Sequence, residues 1–106
     1  MVSFDLDPAA ARLTCRFSPR MDAATSAVDD PAVATRLEEA LSGPGGGELR
    51  VVFDLSGVEF VASAFLRICM ATARRLEGAR FSVVSTSPGL RKLFAVAGLD
   101  GAFPVE

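Results

Sequence analysis

A buried strand that leads through a tight turn into a helix constrains the fold of this chain more than any other feature. Apolar residues run nearly unbroken through 49–55, which is typical of a strand covered on both faces, and so of a parallel or mixed sheet flanked by helices. The segment 54–57, Asp-Leu-Ser-Gly, has turn chemistry. A helix is predicted over about 63–76. One hydroxyl, that of Ser63, therefore lies at the start of a helix.

Alternation and helix-cap signals divide the rest of the chain into further elements. In chain order we predict an amino-terminal hairpin (2–6 and 11–17), a surface loop (18–30), a helix that Asp30-Pro31 begins and Gly43 ends, a strand (81–84), a helix from Ser87-Pro88 to Gly98, and a short terminal strand (103–105). Residues 1–106 are therefore expected to form one α/β domain. We expect a mixed sheet of about four to five strands with three or four helices, packed mainly on one face.

The inventory of reactive side chains argues against an enzyme. The 106 residues include no His, Tyr or Trp, so a Ser–His or Cys–His nucleophilic pair cannot form and the commonest transition-metal ligand is missing. The formal charge of −2, with no run of Lys or Arg, gives no electrostatic footprint for nucleic acid. We therefore expect a protein-binding module with no cofactor, no metal and no nucleic-acid partner.

Signals for export and for membrane insertion are also missing. No apolar run is long enough to cross a bilayer, and no charged-then-apolar leader follows Met1. We therefore expect a cytoplasmic protein. Cys15 and Cys69 fall at apolar positions of a predicted strand and a predicted helix, which favours buried free thiols over a disulfide.

Two motifs occur in order along the chain. They are DLSGVEF at 54–60 with Ser63 three residues later, and SPGLRKLF at 87–94 followed by AGLD at 97–100. Together they resemble the STAS family of bacterial anti-sigma factor antagonists. The resemblance covers essentially the whole chain, including Asp22-Ala-Ala before the first helix, and implies a STAS-like mixed sheet with helices.

The resemblance implies a phosphorylation switch. In the family, a Ser at the helix start is phosphorylated by a serine kinase that doubles as the anti-sigma factor, and a phosphatase resets the switch. Ser63 matches that phosphoacceptor. This chain differs from the family motif at three neighbouring positions: Ala62 replaces an Asp, Ala64 a second hydroxyl, and Phe65 a Gly. The Phe65 side chain is expected where the backbone of a partner would approach closely.

One face of helix 63–76 is expected to contact the partner. A helical projection places Ala64, Ile68 and Ala71 away from the sheet, with arginines at the rim, so Ile68 is predicted to be exposed. This face is either a docking patch for an acidic partner surface or an ordinary solvated face. The resemblance adds Asp22, in the loop before the first helix. The predicted partner-binding residues are Asp22, Ala62, Ser63, Ala64, Phe65, Arg67, Ile68 and Ala71.

Two functions remain open from the sequence. The first is an anti-sigma factor antagonist, switched by phosphorylation of Ser63, that sequesters an anti-sigma factor with serine kinase activity. The second is a non-switching STAS subunit of a membrane lipid-transport or signalling complex, in which Ser63 only caps its helix. In neither does the chain itself insert into a membrane.

Overall fold

The computed structural model describes residues 1–76 and 80–106. The strands are β1 (Ser3–Asp7), β2 (Arg12–Arg16), β3 (Arg20–Met21), β4 (Arg50–Asp54), β5 (Phe60–Val61) and β6 (Phe81–Val84). The helices are α1 (Ala23–Ser42), α2 (Ser63–Arg75) and α3 (Pro88–Val96). No helix in these two ranges is both long enough and apolar enough to cross a bilayer.

The main sheet is mixed and has the strand order β1-β2-β4-β6. β1 and β2 form an antiparallel hairpin, whereas β4 runs parallel to both β2 and β6. β3 and β5 form a separate parallel pair. Where a terminal strand was predicted, Val105 makes one isolated parallel bridge to Val83. The predicted α/β class, hairpin and parallel core strands are therefore confirmed.

Strand alternation separates a buried face of the main sheet from a solvated one. Cys15 lies opposite Phe53, which lies opposite Val83, and all three side chains are buried. The residues that alternate with them lie on the opposite, solvated face of the sheet. On that face, Arg16 and Asp54 form an ion pair at 3.5 Å.

Phenylalanine rings connect the sheet, α2 and the carboxyl-terminal segment through the core. Phe17 contacts Phe53 and Phe65 at centroid distances of 4.8 and 4.9 Å. Phe53 contacts Phe81 at 4.8 Å, and Phe81 contacts Phe103 at 4.9 Å. All four contacts are edge-to-face, the arrangement that the charge distribution of aromatic rings favours.

Helix α1 begins at Ala23, so the loop predicted over 18–30 is wrong for most of its length. Asp22 rather than Asp30 caps the helix, because its Oδ1 accepts the Thr25 N–H at 2.9 Å. Pro31 lies inside the helix instead of at its first position. The predicted end of the helix at Gly43 is confirmed.

The polar composition of the first turns of α1 gave no sign that some of their side chains are buried. Ser26 and Asp29 are each only 1% exposed, and Oδ1 of Asp29 accepts the N–H of Val2 at 3.3 Å. This contact joins residues 27 positions apart in sequence. A local pattern carries no signal for such a contact, so composition alone predicted a loop.

The turn after β4 has the chemistry that the sequence predicted. Gly57 has φ of +82°, and the Val58 N–H bonds the Leu55 carbonyl oxygen at 3.0 Å. The Ser56 N–H donates to Oδ1 of Asp54 at 3.0 Å. Partial burial acts to raise the pKa of Asp54, but hydrogen bonds from Ser56 and Ser85, together with Arg16, hold the pKa below its ordinary value.

Both cysteines are buried free thiols, as predicted. Burial raises the pKa of Cys15 to about 12 and also raises the pKa of Cys69.

The Phe65→Ala variant should destabilise the domain by about 3–5 kcal/mol, because it leaves a cavity beside Phe17 and Phe53. Phe60→Ala is the matched control. It removes a ring of the same size that is 40% exposed, and it should cost far less. Urea unfolding followed by circular dichroism measures both losses. Equal losses would contradict the central position of Phe65 in the core.

The Asp54→Asn variant should lower stability in a pH-dependent way. Because the folded-state pKa of Asp54 lies below its ordinary value of 3.8, the stabilisation is complete above that value and is lost as the pH falls through the folded-state pKa. We expect a loss of about 1 kcal/mol at neutral pH, or roughly 4 °C in Tm, which shrinks as the pH falls through the folded-state pKa.

Thermal unfolding of the wild type and the variant across this pH range checks the expectation. Asp5→Asn is the control, because Asp5 is exposed on the same sheet face and should show no such gap. A difference between wild type and Asp54→Asn that stays constant with pH would contradict the assigned role of the carboxylate.

Candidate partner-binding site

Two helix starts lie side by side because the short strands before them pair. In the β3–β5 pair, Met21 lies opposite Val61, and the Ala62 N–H donates to the Met21 carbonyl oxygen at 2.8 Å. The next residues along the two strands are Asp22 and Ala62, which are the N-cap residues of α1 and α2. The structure thus brings Asp22 beside the segment that carries Ser63.

Ser63 is the first residue of α2, and its side chain is exposed. The N-cap residue is Ala62, which makes no side-chain cap hydrogen bond, so the alternative of a Ser63 cap is wrong. The Ala62 carbonyl oxygen accepts the N–H groups of Phe65 and Leu66 at 2.9 and 3.4 Å. In the described part of the chain, the N–H groups of Ser63 and Ala64 and the Ser63 hydroxyl have no hydrogen-bond partner.

Arginines follow Ser63 along the exposed side of α2. Arg67 lies one helical turn after Ser63 and is exposed. Within residues 1–76 and 80–106, neither Arg67 nor Arg74 has an ion-pair partner, whereas Arg75 pairs with Glu38 of α1. The Arg67 guanidinium is therefore available to an anion at the start of α2.

Asp22 is a fixed negative charge at the same end of the two helices. The hydrogen bond from the Thr25 N–H is the main reason that the pKa of Asp22 lies below its ordinary value. Arg20 lies 3.8 Å from the carboxylate and adds to this effect. Asp22 is therefore ionised at neutral pH and already engaged by groups of its own chain.

Two residues that were predicted to contact a partner, Phe65 and Ile68, are buried. Phe65 is 0% exposed and packs among the core rings, so it presents no side chain to a partner. Ile68 is 3% exposed and faces α1, where Val33 and Leu37 line the same narrow cleft. The helical projection assumed that α2 packs on the sheet alone. Because α2 packs on α1 as well, its buried stripe is wider than a single-sided projection predicts.

The other predicted contact residues stay at the surface, and one neighbour was missed. Ala62 and Ala64 are half-buried, and Ala71 is exposed. The missed residue is Phe60, whose ring is 40% exposed beneath the Arg20 guanidinium at 4.4 Å. Its alternation with buried Val61 was the available signal.

This arrangement is suited to binding an anion. It combines an exposed hydroxyl with two backbone N–H groups and a guanidinium that have no partner among the described residues, and such groups receive an anion at a helix start. Among the described residues, no three His, Cys, Asp or Glu side chains cluster closely enough to hold a metal ion.

Comparison with known proteins places this geometry in a family. The family model described as "Mlab, STAS domain" matches residues 18–105. A Bordetella bronchiseptica protein that carries the name anti-sigma factor antagonist BtrV is 33% identical over 81 residues, which are 74% of this chain and 70% of that protein.

Solved structures share the fold over nearly the whole chain. An anti-sigma factor antagonist from Mycobacterium paratuberculosis is 28% identical, with a TM-score of 0.76 over 99% of this chain and 85% of the other. The Bacillus cell fate determinant SpoIIAA in its phosphorylated form is 18% identical, with a TM-score of 0.65 over 98% and 91%. With its mixed sheet, its paired helix starts and the match over residues 18–105, the chain belongs to the STAS domain family.

Proposed function

We propose that this protein is an anti-sigma factor antagonist whose binding to an anti-sigma factor is switched by phosphorylation of Ser63. The observation that supports the proposal most is the exposed Ser63 hydroxyl at the start of α2, which has no hydrogen-bond partner in the described ranges and follows an N-cap residue without a side-chain cap. The relatives from Bordetella and Mycobacterium support the general role. The partner is an anti-sigma factor with serine kinase activity, and a serine phosphatase reverses the modification.

The free protein is built to tolerate a phosphate on Ser63. Phosphorylation adds about −1.5 to −2 charge at neutral pH. The open N–H groups of Ser63 and Ala64 and the positive end of the α2 dipole favour that charge. Arg67 is on the same side of the helix, one turn away, and has no ion-pair partner among the described residues.

A complex would not tolerate the same phosphate. Ala62 and Ala64, which flank Ser63, have small and half-buried side chains, and Ala71 is exposed two turns further along α2, so a partner can approach closely at these positions. Phe60, in β5 two residues before Ala62, adds an apolar ring that is 40% exposed. Removing the doubly charged phosphate from water in such an interface costs about 3 kcal/mol or more, roughly a hundredfold in affinity. Phosphorylation therefore releases the partner.

Local departures from the family motif favour a second candidate, a non-switching STAS subunit of a membrane lipid-transport or signalling complex. Ala62 has no carboxylate with which to orient the Ser63 hydroxyl, and α2 lacks a side-chain cap. In such a subunit the same surface would bind its partner permanently, and the charge state of Ser63 would have no regulatory role.

The Ser63→Asp variant should weaken binding to the anti-sigma factor kinase encoded in the same genome by roughly a hundredfold, whereas Ser63→Ala should leave the affinity unchanged. Isothermal titration calorimetry with the purified proteins measures both. Ser3→Asp is the control, because it adds the same charge at an exposed position of β1, and it should bind like the wild type.

Incubation with the kinase and ATP should add one phosphate to the wild-type protein, and none to Ser63→Ala, by intact-mass spectrometry. Equal affinities of the wild type, Ser63→Ala and Ser63→Asp would rule out the switch and favour the permanently bound subunit.

A further inference from the structure

A groove of about 470 Å³ lies between α1 and α2, next to the start of α2. Short side chains from both helices keep it open, and these are Ala23, Ala27, Ala64 and Ala71. A groove lined by alanines is by itself only a gap between two helices. Two further observations indicate what would occupy it.

The first observation is an unsatisfied hydroxyl in the wall of the groove. Ser26 is 1% exposed, and its Oγ has no hydrogen-bond partner among the described residues. Buried polar atoms without a partner are uncommon in folded proteins. Ser26 lines the groove, so a rotation of its side chain about the Cα–Cβ bond would present the hydroxyl proton to an acceptor that enters from outside the chain.

The second observation is the charge around the groove. Arg67 lines it and has no ion-pair partner within residues 1–76 and 80–106. At the start of α2, the open N–H groups of Ser63 and Ala64 add the positive end of a helix dipole. Asp30 is the one carboxylate in the described lining, and no ion pair within 4.0 Å joins it to Arg67.

The Ser26 hydroxyl, the Arg67 guanidinium and the open N–H groups of α2 can all donate to one small anionic acceptor. A carboxylate is such an acceptor, because its two oxygens can accept from a guanidinium and from a hydroxyl or backbone N–H at the same time. We propose that the groove between α1 and α2 receives an acidic side chain of the partner protein, held by Arg67, Ser26 and the open N–H groups of α2. This inference rests on the proposed function, because it names the chemistry of the partner's contact.

The groove also supplies a physical route for the switch. A phosphate on Ser63 would lie at the same N–H groups and within one helical turn of Arg67. The phosphate would therefore occupy, within the protein's own chain, the same donors that would otherwise bind the partner's carboxylate. Phosphorylation then removes a favourable contact in addition to introducing a repulsive charge.

The site can be tested without the partner, with acetate as the probe. A ¹⁵N-labelled sample is titrated with sodium acetate against sodium chloride at constant ionic strength, and amide and Arg Nε shifts are recorded. We expect saturable, acetate-specific shifts at Ser63, Ala64 and the Nε of Arg67. Arg67→Gln should weaken the response by roughly tenfold. Arg74→Gln is the matched control, because Arg74 is exposed on α2 but does not line the groove, and it should respond like the wild type.

A second arm connects the site to the partner and to Ser63. Ser63→Asp should lose the acetate response, because its own carboxylate occupies the donors. In calorimetry with the anti-sigma factor kinase, Arg67→Gln and Ser26→Ala should weaken binding by roughly tenfold, and Arg74→Gln should not.

Acetate shifts that match those of chloride, or that persist in Arg67→Gln, overturn the inference. The Ser63 switch is unaffected by that result, because it is measured by the partner's affinity for Ser63→Asp. Conversely, Ser63→Asp could bind the partner like the wild type, and this result would overturn only the switch. An acetate response together with Arg67-dependent partner binding would still support the site.

Discussion

The packing of Phe65 between Phe17 and Phe53 fixes the rotation of α2, and the surface of the candidate site follows from that rotation. A helix repeats every 3.6 residues, so a side chain buried at one position determines which positions point outward. Burial of Phe65, Ile68, Cys69 and Thr72 turns Ser63, Arg67, Ala71 and Arg74 to the solvent. A hydrophobic constraint in the core therefore sets the direction in which the phosphoacceptor candidate and its neighbouring arginine point.

Helix α2 is stabilised by packing against other elements and not by a side-chain cap at its start. A side-chain cap typically stabilises a helix by about 1 kcal/mol, and Ala62 supplies none. Packing on the sheet and on α1 stabilises α2 instead, and among the described residues no acceptor meets the N–H groups of Ser63 and Ala64. The neighbouring helix shows the opposite arrangement, because Asp22 caps α1. The two adjacent helix starts thus differ in charge, with a carboxylate on one and free donors on the other.

The departures from the STAS family motif acquire separate meanings in the structure. Phe65 stands where the family usually has a Gly, and it was expected to obstruct a partner, yet its ring lies wholly in the core. That difference therefore concerns the packing of the core and adds no side chain to the surface. Ala62 acts at the surface, because the missing carboxylate opens the N–H groups that border the groove between α1 and α2. One difference therefore concerns stability, and the other concerns recognition.

The sequence by itself determined the strand–turn–helix unit, the hairpin and the N-cap of α3, where the Ser87 side chain accepts the Leu90 N–H, because each depends on residues close together in the chain. Only the tertiary structure decided the true start of α1, the burial of Ile68 and the position of Ser26 and Arg67 in the lining of one groove. Each of these depends on α1 packing against α2 or on the amino terminus reaching Asp29. Local periodicity predicts one buried face for each helix, whereas a helix that packs on both a sheet and another helix buries two faces.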